Sequence, residues 1–199
     1  ISVDQTFCVS GDPTNLIGGT VSGGTGSFTY QWQIDTTGAY ADIPGATGVN
    51  YDPPLLTRSA FFRRIVLSGN CSSTSNEVAI NILTAISNNA INADQFSCGA
   101  PYTTQTVIGT NPGGGTGAYT YQWQLSTNGG ITWSNSTGDV VSNLAPRSVS
   151  VTTLYRRIVT SGPCTDVSNN VTITITPLIT NNTISADQTY CGPATPAAL

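Results

Sequence analysis

The stretch Tyr30-Gln31-Trp32-Gln33 returns later in the chain as Tyr121-Gln122-Trp123-Gln124. A second stretch, Phe62-Arg63-Arg64-Ile65-Val66, returns 93 positions on as Tyr155-Arg156-Arg157-Ile158-Val159. The opening segment 1–5 recurs at 91–95 and again at 184–188. Such self-similarity is the signature of a repeat protein. We therefore expect one repeat over residues 1–85, a second over 86–179, and over 180–199 the first strand of a third, which is either truncated from a longer array or a donor strand.

Each repeat has the residue pattern of β-strands. Phe28, Tyr30, Trp32 and Ile34 alternate with polar residues, and the segment 171–176 alternates in the same way. Gly- and Pro-rich segments separate these runs, and no stretch combines a helical period with capping residues. Roughly seven short strands in a repeat of this length are typical of an immunoglobulin-like sandwich. The sequence predicts an all-β fold of tandem immunoglobulin-like β-sandwich domains arranged as a rod.

The charged residues are few, and their types exclude several functions. Of the 199 residues 8% are charged, the net charge is −4, and the six basic residues are all arginine. Without histidine or lysine, no conventional base activates the many Ser and Thr hydroxyls. The absence of a basic cluster argues against nucleic acid, and the apolar runs are too short to insert into a membrane. We therefore predict a protein that is not an enzyme.

No metal or cofactor is expected either. The cysteines lack the Cys-x-x-Cys spacing of zinc sites, and the acidic residues lack the spacing of a calcium loop. The glycine runs at 23–26 and 113–117 lead into strands and are unaccompanied by lysine, so they are predicted to be turns and not phosphate-binding loops.

The cysteines recur with the repeat. Cys8 and Cys71 belong to the first repeat, Cys98 and Cys164 to the second, and Cys191 aligns with Cys8 and Cys98. We predict one disulfide per repeat, Cys8–Cys71 and Cys98–Cys164, with the partner of Cys191 outside this segment. A Cys71–Cys98 bond across the junction is the alternative. Either arrangement indicates an oxidising, extracellular compartment.

Two sets of aromatic residues are candidate sites. Trp32 and Trp123, with Tyr30 and Tyr121, are predicted to form the structural core, because a buried tryptophan anchors the central strand of such sandwiches. Tyr40 aligns with Trp133 near the following strand. Packing at the sheet edge is the first interpretation of these two rings, and stacking on a glycan ring is the alternative.

The arginine pairs raise a question of charge burial. Adjacent residues of a strand point to opposite faces, so one arginine of each pair must face the core. A buried arginine needs a carboxylate or an aromatic face. The carboxylate that recurs is Asp4, Asp94 and Asp187. We expect structural charge pairs within each repeat, or an arginine stacked on the tryptophan, among these residues: Asp4, Arg63, Arg64, Asp94, Arg156 and Arg157.

The repeat as a whole resembles a known family. Its pattern is Gly-Gly-x-Gly, Tyr-Gln-Trp-Gln, Ile-Pro-Gly-Ala-Thr at 43–47, an aromatic-Arg-Arg segment, and a cysteine followed by Ser-Asn. This pattern is similar to the tandem Ig-like or PKD-like repeats of giant Bacteroidota cell-surface adhesins, including adhesins of the gliding-motility type exported by type IX secretion. The resemblance implies a stalk on the bacterial cell surface.

The expected function is thus an extracellular structural or adhesive repeat module within a large surface adhesin or filament. The segment between the repeats carries Leu83, Ile86 and Ile91 without glycine or proline, which favours a semi-rigid junction. Its partners are predicted to be neighbouring repeats of the same chain or fibre, with surface glycans or other cell-surface components as further candidates. The alternatives are a carbohydrate-binding module and a subunit of a strand-exchanged extracellular fibre.

Overall fold

The computed structural model describes residues 2–184, 189–193 and 195, and its regular elements are all β-strands. Repeat one contains β1 Gln5–Cys8, β2 Thr29–Asp35, β3 Ala41–Asp42, β4 Ala60–Ser68, β5 Cys71–Thr74 and β6 Val78–Leu83. Repeat two contains β7 Gln95–Cys98, β8 Tyr102–Thr103, β9 Thr120–Ser126, β10 Ser134–Asn135, β11 Ser148–Val149, β12 Thr153–Ser161, β13 Cys164–Val167 and β14 Val171–Thr176.

The predicted all-β, immunoglobulin-like fold is confirmed. Within the described ranges no helix has the length and apolar character of a membrane span. The strand predicted to begin a third repeat includes residues 185–188, which lie outside the described residues.

The main sheets of the two repeats share one topology. In repeat one the strand order is β1-β6-β4-β2-β3, and β5 also pairs with β4. Repeat two repeats this order as β7-β14-β12-β9-β10, with β13 beside β12. In both sheets the first strand runs parallel to the last strand. In repeat one this pairing places Cys8 beside Leu83, the last residue of β6, after which the chain continues into repeat two.

A second layer covers the main sheet, and here the strands are shorter than the sequence suggests. In repeat one this layer is held by the isolated bridges Gly11–Leu56 and Leu16–Tyr51. Pro53 and Pro54 lie between two of the bridging residues and have no N–H to donate, which prevents a continuous ladder there. Repeat two forms the short β8–β11 pair in addition to its bridges.

Trp32 and Trp123 lie at the centres of the two sandwich cores, and both side chains are 0% exposed. The Trp32 core includes Leu16, Phe62, Val78 and Ile80. Each indole N–H donates to a loop carbonyl, Trp32 to Gly48 at 3.0 Å and Trp123 to Val141 at 2.9 Å. These bonds satisfy the indole N–H groups inside the core and attach the loop to it.

Candidate functional site

The repeats are joined by a disulfide between Cys8 of repeat one and Cys164 of repeat two, whose Cα atoms are 5.2 Å apart. The predicted pairs Cys8–Cys71 and Cys98–Cys164 are therefore wrong. The alternative Cys71–Cys98 bond is wrong as well, since both are free, exposed thiols, as is Cys191. The disulfide is a link between repeats and not a brace within one.

The geometry of the sheet explains this correction. Cys8 pairs with Leu83, three residues beyond Ile80, which faces Ala60 at the start of β4. Cys71 pairs with Ser68, eight residues along β4 in the opposite direction. At ~3.3 Å per residue, these eleven steps place Cys8 and Cys71 roughly 35 Å apart, at opposite ends of the sandwich. A disulfide needs Cα atoms within about 7 Å, so this pair cannot form.

The chain between the repeats docks into repeat two. We call residues 84–90 the first connector. Ile86 is 8% exposed and packs with Val159 and Cys164. Further contacts come from partly buried side chains of both repeats: Cys8, Leu83, Tyr119 and Tyr121. The junction is thus a small apolar core built around the disulfide.

Backbone hydrogen bonds hold the first connector along one loop of repeat two. Ser87 and Gly113 exchange N–H···O bonds of 3.0 Å, and the Gly115 N–H donates to the Thr84 carbonyl at 2.9 Å. Asn88 turns the chain with a φ of 55°, a conformation that asparagine tolerates better than most residues. The connector is therefore ordered by pairing, unlike a flexible linker.

Asn89 connects the first connector to the most buried charge of repeat two. Its Oδ1 accepts hydrogen bonds from Nε and Nη2 of Arg157 at 3.1 and 2.9 Å. Its Nδ2 donates to a carboxylate oxygen of Asp166 at 3.0 Å. Arg157 is 0% exposed, and this burial lowers the pKa of its guanidinium. A residue of the connector therefore completes the core of the next repeat.

Among the described residues, the predicted Asp–Arg pairs are not formed. The core-facing arginines, Arg64 and Arg157, donate instead to loop carbonyls of the second layer, Arg64 to Val49 and Gly19 at 2.8 and 2.9 Å. Arg157 makes the matching bonds to Ser142 and Thr110. The guanidinium groups also lie 4.9 Å from the ring of Tyr30 and 5.2 Å from that of Tyr121, and that of Arg64 lies 6.0 Å from Trp32.

The recurring carboxylates serve the backbone. Asp4 accepts the Ala79 N–H at 2.8 Å, and Asp94 accepts the Thr172 N–H at 2.7 Å. They sit just before the first strands, next to the last strands, and so are placed to accept edge N–H groups and not to reach the arginines. Asp187 lies outside the described residues.

Two glycines that the sequence analysis did not single out make room for the buried arginines. A Cβ on Gly18 would lie 1.8 Å from Nη1 of Arg64, and one on Gly109 would lie 1.8 Å from Nη1 of Arg157. In the sequence, these glycines could have been found from the Ile-Gly pair that recurs at 17–18 and 108–109. Asn50 and Asn143 recur likewise, and each accepts the N–H of its glycine.

The two rings considered for ligand stacking are covered by the other arginine of each pair. Arg63 lies 3.7 Å from the ring centroid of Tyr40, and Arg156 lies 4.1 Å from that of Trp133. Partial burial and a hydrogen bond to Glu77 raise the pKa of Tyr40 to about 12. One face of each ring is therefore occupied by the protein's own cation.

Repeat two also carries an ion pair, Arg147–Asp139, with a closest N···O distance of 2.6 Å. Both Nη atoms of Arg147 reach the carboxylate, and the Ser136 hydroxyl bonds to it as well. Hydrogen bonding to Arg147, with a contribution from Ser136, lowers the pKa of Asp139 below its ordinary value.

We expect this pair to make repeat two less stable in acid. Because the folded-state pKa of Asp139 is lowered, the pair stabilises the fold fully above the unfolded-state pKa of about 4 and less as the pH falls through the folded-state value. Melting temperatures of the parent and of Asp139→Asn, measured between about pH 2 and 6, check this. As the pH falls, the melting temperature of the variant should decrease less than that of the parent. Equal decreases in the two chains would rule out this role for the pair.

Comparison with known proteins gives one family. A family model described as "Domain of unknown function (DUF8696)" matches the chain twice, at residues 1–84 and 87–177. No curated protein matches the chain.

Among solved structures, the chain is similar to a segment of titin, with 13% identity and a TM-score of 0.43 over 87% of this chain and 62% of that one. It is similar to Sidekick-1 immunoglobulin domains 1–4, with 10% identity and a TM-score of 0.40 over 92% and 47%. It is also similar to the N-terminal four Ig domains of Dscam1 isoform 6.9, with 11% identity and a TM-score of 0.36 over 88% of this chain and 43% of that one. The chain spans less than two thirds of the length of each of these.

Proposed function

The chain belongs to the family described as "Domain of unknown function (DUF8696)" and carries two copies of its domain, and we propose that it is a non-catalytic extracellular structural and adhesive repeat module that bears tension along a stalk. This proposal includes the division into repeats over 1–85 and 86–179, with a third beginning at 180. The Cys8–Cys164 disulfide is compatible with an extracellular location, because disulfides persist in oxidising compartments.

The observation that carries the proposal is the path of the covalent chain across the junction. A force applied to the two ends of the chain passes from Cys8 directly to Cys164 through the disulfide. Residues 9–163 lie outside this path, and they include most of both sandwiches. Unfolding either repeat therefore releases little length while the disulfide is intact, a property suited to a stalk that must transmit force.

The junction also restrains bending. Ile86 and Cys164 are buried together, with Cys8 partly buried beside them, and Ser87 pairs with Gly113 through its backbone. In repeat proteins each unit touches its neighbours, so the stiffness of the junction sets the stiffness of the array. We infer a semi-rigid rod.

The finer identity of the parent protein rests on the repeat pattern described above. The resemblance to Bacteroidota repeats supports a large bacterial cell-surface adhesin or filament, with a link to gliding motility, surface attachment and type IX secretion as part of the proposal. The carbohydrate-binding alternative has less support, because arginines cover one face of both Tyr40 and Trp133. The strand-exchanged fibre depends on residues 184–199, most of which lie outside the described residues.

Single-molecule stretching of the chain by its two ends tests the proposal. In the oxidised chain, unfolding should add no contour length from residues 9–163. After reduction, the 156-residue loop should add roughly 550 Å, at ~3.5 Å per residue. A Cys71→Ser/Cys98→Ser chain serves as control and should behave as the parent. A full-length extension from the oxidised chain would contradict a tension-bearing role.

A further inference from the structure

Repeat one carries an open groove at the position where repeat two receives the first connector. The groove has a volume of about 170 Å³. It is lined by residues of the loop before β2, of β4 and of β5: Val21, Ser22, Gly24, Phe28, Val66, Ser68, Cys71, Ser72 and Ser73. The counterparts of these residues in repeat two that contact the first connector or Cys8 include Gly115, Tyr119, Val159 and Cys164. The two surfaces are equivalent, and one of them is covered.

The cysteines show the difference directly. Cys164 is buried against the first connector and bonded to Cys8, whereas Cys71, 93 positions earlier, is an exposed free thiol. Both begin the same strand of their repeats, β13 and β5, and both pair with the last residue of the long central strand. Cys71 therefore has the setting of a disulfide half-site.

A buried arginine outside the groove gives independent evidence that this surface of repeat one lacks a partner. Arg64 is 3% exposed, and its Nε–H is a buried donor without a hydrogen-bond partner among the described residues. The equivalent Nε–H of Arg157 donates to Asn89 of the first connector. A buried donor left without a partner destabilises the fold, so a carbonyl-bearing side chain in the Asn89 position is what this site lacks.

The chain contains a second segment with the required features. In residues 177–183, the second connector, Asn181 has a φ of 59° and matches Asn88, and Asn182 matches Asn89. Ile179 takes the place of Ile86, but it is 84% exposed where Ile86 is 8% exposed. Cys98, at the end of β7 as Cys8 is at the end of β1, is free beside this connector.

We propose that the groove of repeat one binds the connector of another DUF8696 repeat, of the kind formed by residues 177–183. In this complex Ile179 of the incoming repeat fills the groove, its Asn182 accepts the Arg64 Nε–H, and its Cys98 forms a disulfide with Cys71. The complex assigns a binding partner to the groove of repeat one, for which the proposed function specifies none. It does not depend on whether the array bears tension.

The covalent step is a two-electron oxidation by a disulfide reagent such as glutathione disulfide. The Cys98 thiolate attacks glutathione disulfide, forming a mixed disulfide and releasing one glutathione thiolate. The Cys71 thiolate then attacks the Cys98 sulfur and releases the second. The two protons lost by the cysteines are taken up by the two glutathione thiolates, so two thiols are oxidised and one glutathione disulfide is reduced.

In a longer array such bonds overlap. In each repeat, the cysteine at the end of the first strand (β1 or β7) would bond to the next repeat. The cysteine at the start of the strand equivalent to β5 or β13 would bond to the preceding repeat. The covalent path from Cys164 to the next forward-bonding cysteine, Cys191, is 27 residues long, about 95 Å when extended. For every such step the disulfide would bypass most of two repeats, as it does residues 9–163 here.

The test is a chain extended at its N-terminus by a second copy of residues 86–183, refolded with oxidised and reduced glutathione and digested with trypsin without reduction. We expect the added fragment 86–147, which holds the added Cys98, to be linked to fragment 65–147, which holds Cys71. The Cys71→Ser version should lose this link and keep Cys8–Cys164, which reports correct folding. A folded, extended chain in which Cys71 stays reactive would overturn the proposal.

A second measurement needs no extension. A peptide of residues 176–183 is added to the ¹⁵N-labelled parent chain, and the Arg64 Nε–H resonance is followed by NMR. We expect the peptide to shift this resonance, and a peptide carrying Asn182→Ala to leave it in place. If neither or both peptides shift it, Asn182 does not recognise Arg64 and the proposed docking is wrong. Neither test involves force, so the stretching result and this one stand or fall separately.

Discussion

Arg157→Ala is expected to lower the free energy of unfolding of repeat two by about 4 kcal/mol. The substitution leaves a cavity and removes the donors to the Ser142 and Thr110 carbonyls and to Asn89. For a repeat of this size the melting temperature should fall by about 10 °C or more. Differential scanning calorimetry measures the change.

The neighbouring arginine is the matched control. Arg156 is partly exposed and contacts the ring of Trp133, an interaction worth about 0.5–1 kcal/mol at such sites. Arg156→Ala should therefore shift the melting temperature by only a few degrees. If the two variants were equally stable, the buried guanidinium would not have the structural role described above.

Replacing both Cys8 and Cys164 by serine is expected to have the other large effect. The chain-entropy model assigns about 5 kcal/mol to a disulfide that closes a loop of 156 residues. Without the bond the repeats should unfold at lower denaturant concentration and in two separable transitions, because the covalent coupling between them is gone. Urea titrations followed by tryptophan fluorescence report on both cores.

The control for this variant is Cys71→Ser combined with Cys98→Ser. Both thiols are free and exposed, and surface substitutions usually change stability by within about 0.5 kcal/mol. This chain should unfold as the parent does. If the bonds lay within the repeats, each of the two double variants would break both of them, so equal losses of stability in the two chains would contradict a Cys8–Cys164 bond.

The sandwich itself could be predicted from local pattern. The alternation around Trp32 and Trp123 places both indoles inside, and the adjacent arginines require one of each pair to face inward, where Arg64 and Arg157 lie. These conclusions use only the two-residue period of a strand, a property that each strand carries in its own sequence.

The disulfide partner could not be predicted in this way. Cysteines that recur once per period are compatible with bonds within a repeat and with bonds between repeats, because the translation from one repeat to the next leaves the pattern unchanged. The choice depends on which end of the sheet each cysteine occupies. That follows from the parallel pairing of β1 with β6, which sequence periodicity does not reveal.

The partners of the arginines were missed for a related reason. The expectation of a carboxylate considered side chains alone, whereas the structure uses the carbonyls of irregular loops, among them Val49, Gly19, Ser142 and Thr110. Backbone acceptors are present at every residue and leave no mark on the sequence. The recurring glycines at 18 and 109 were the available signal, since they admit the guanidinium groups.

The disulfide between repeats is the central claim, and the composition of the chain provides a direct measurement of it. Trypsin cuts only at the six arginines, so the cysteines fall into three fragments: Cys8 in 1–58, Cys71 and Cys98 in 65–147, and Cys164 and Cys191 in 158–199. Mass spectrometry of an unreduced digest should find fragment 1–58 linked to fragment 158–199 and fragment 65–147 alone. Fragment 65–147 linked to both of the others would show disulfides within each repeat and contradict the account.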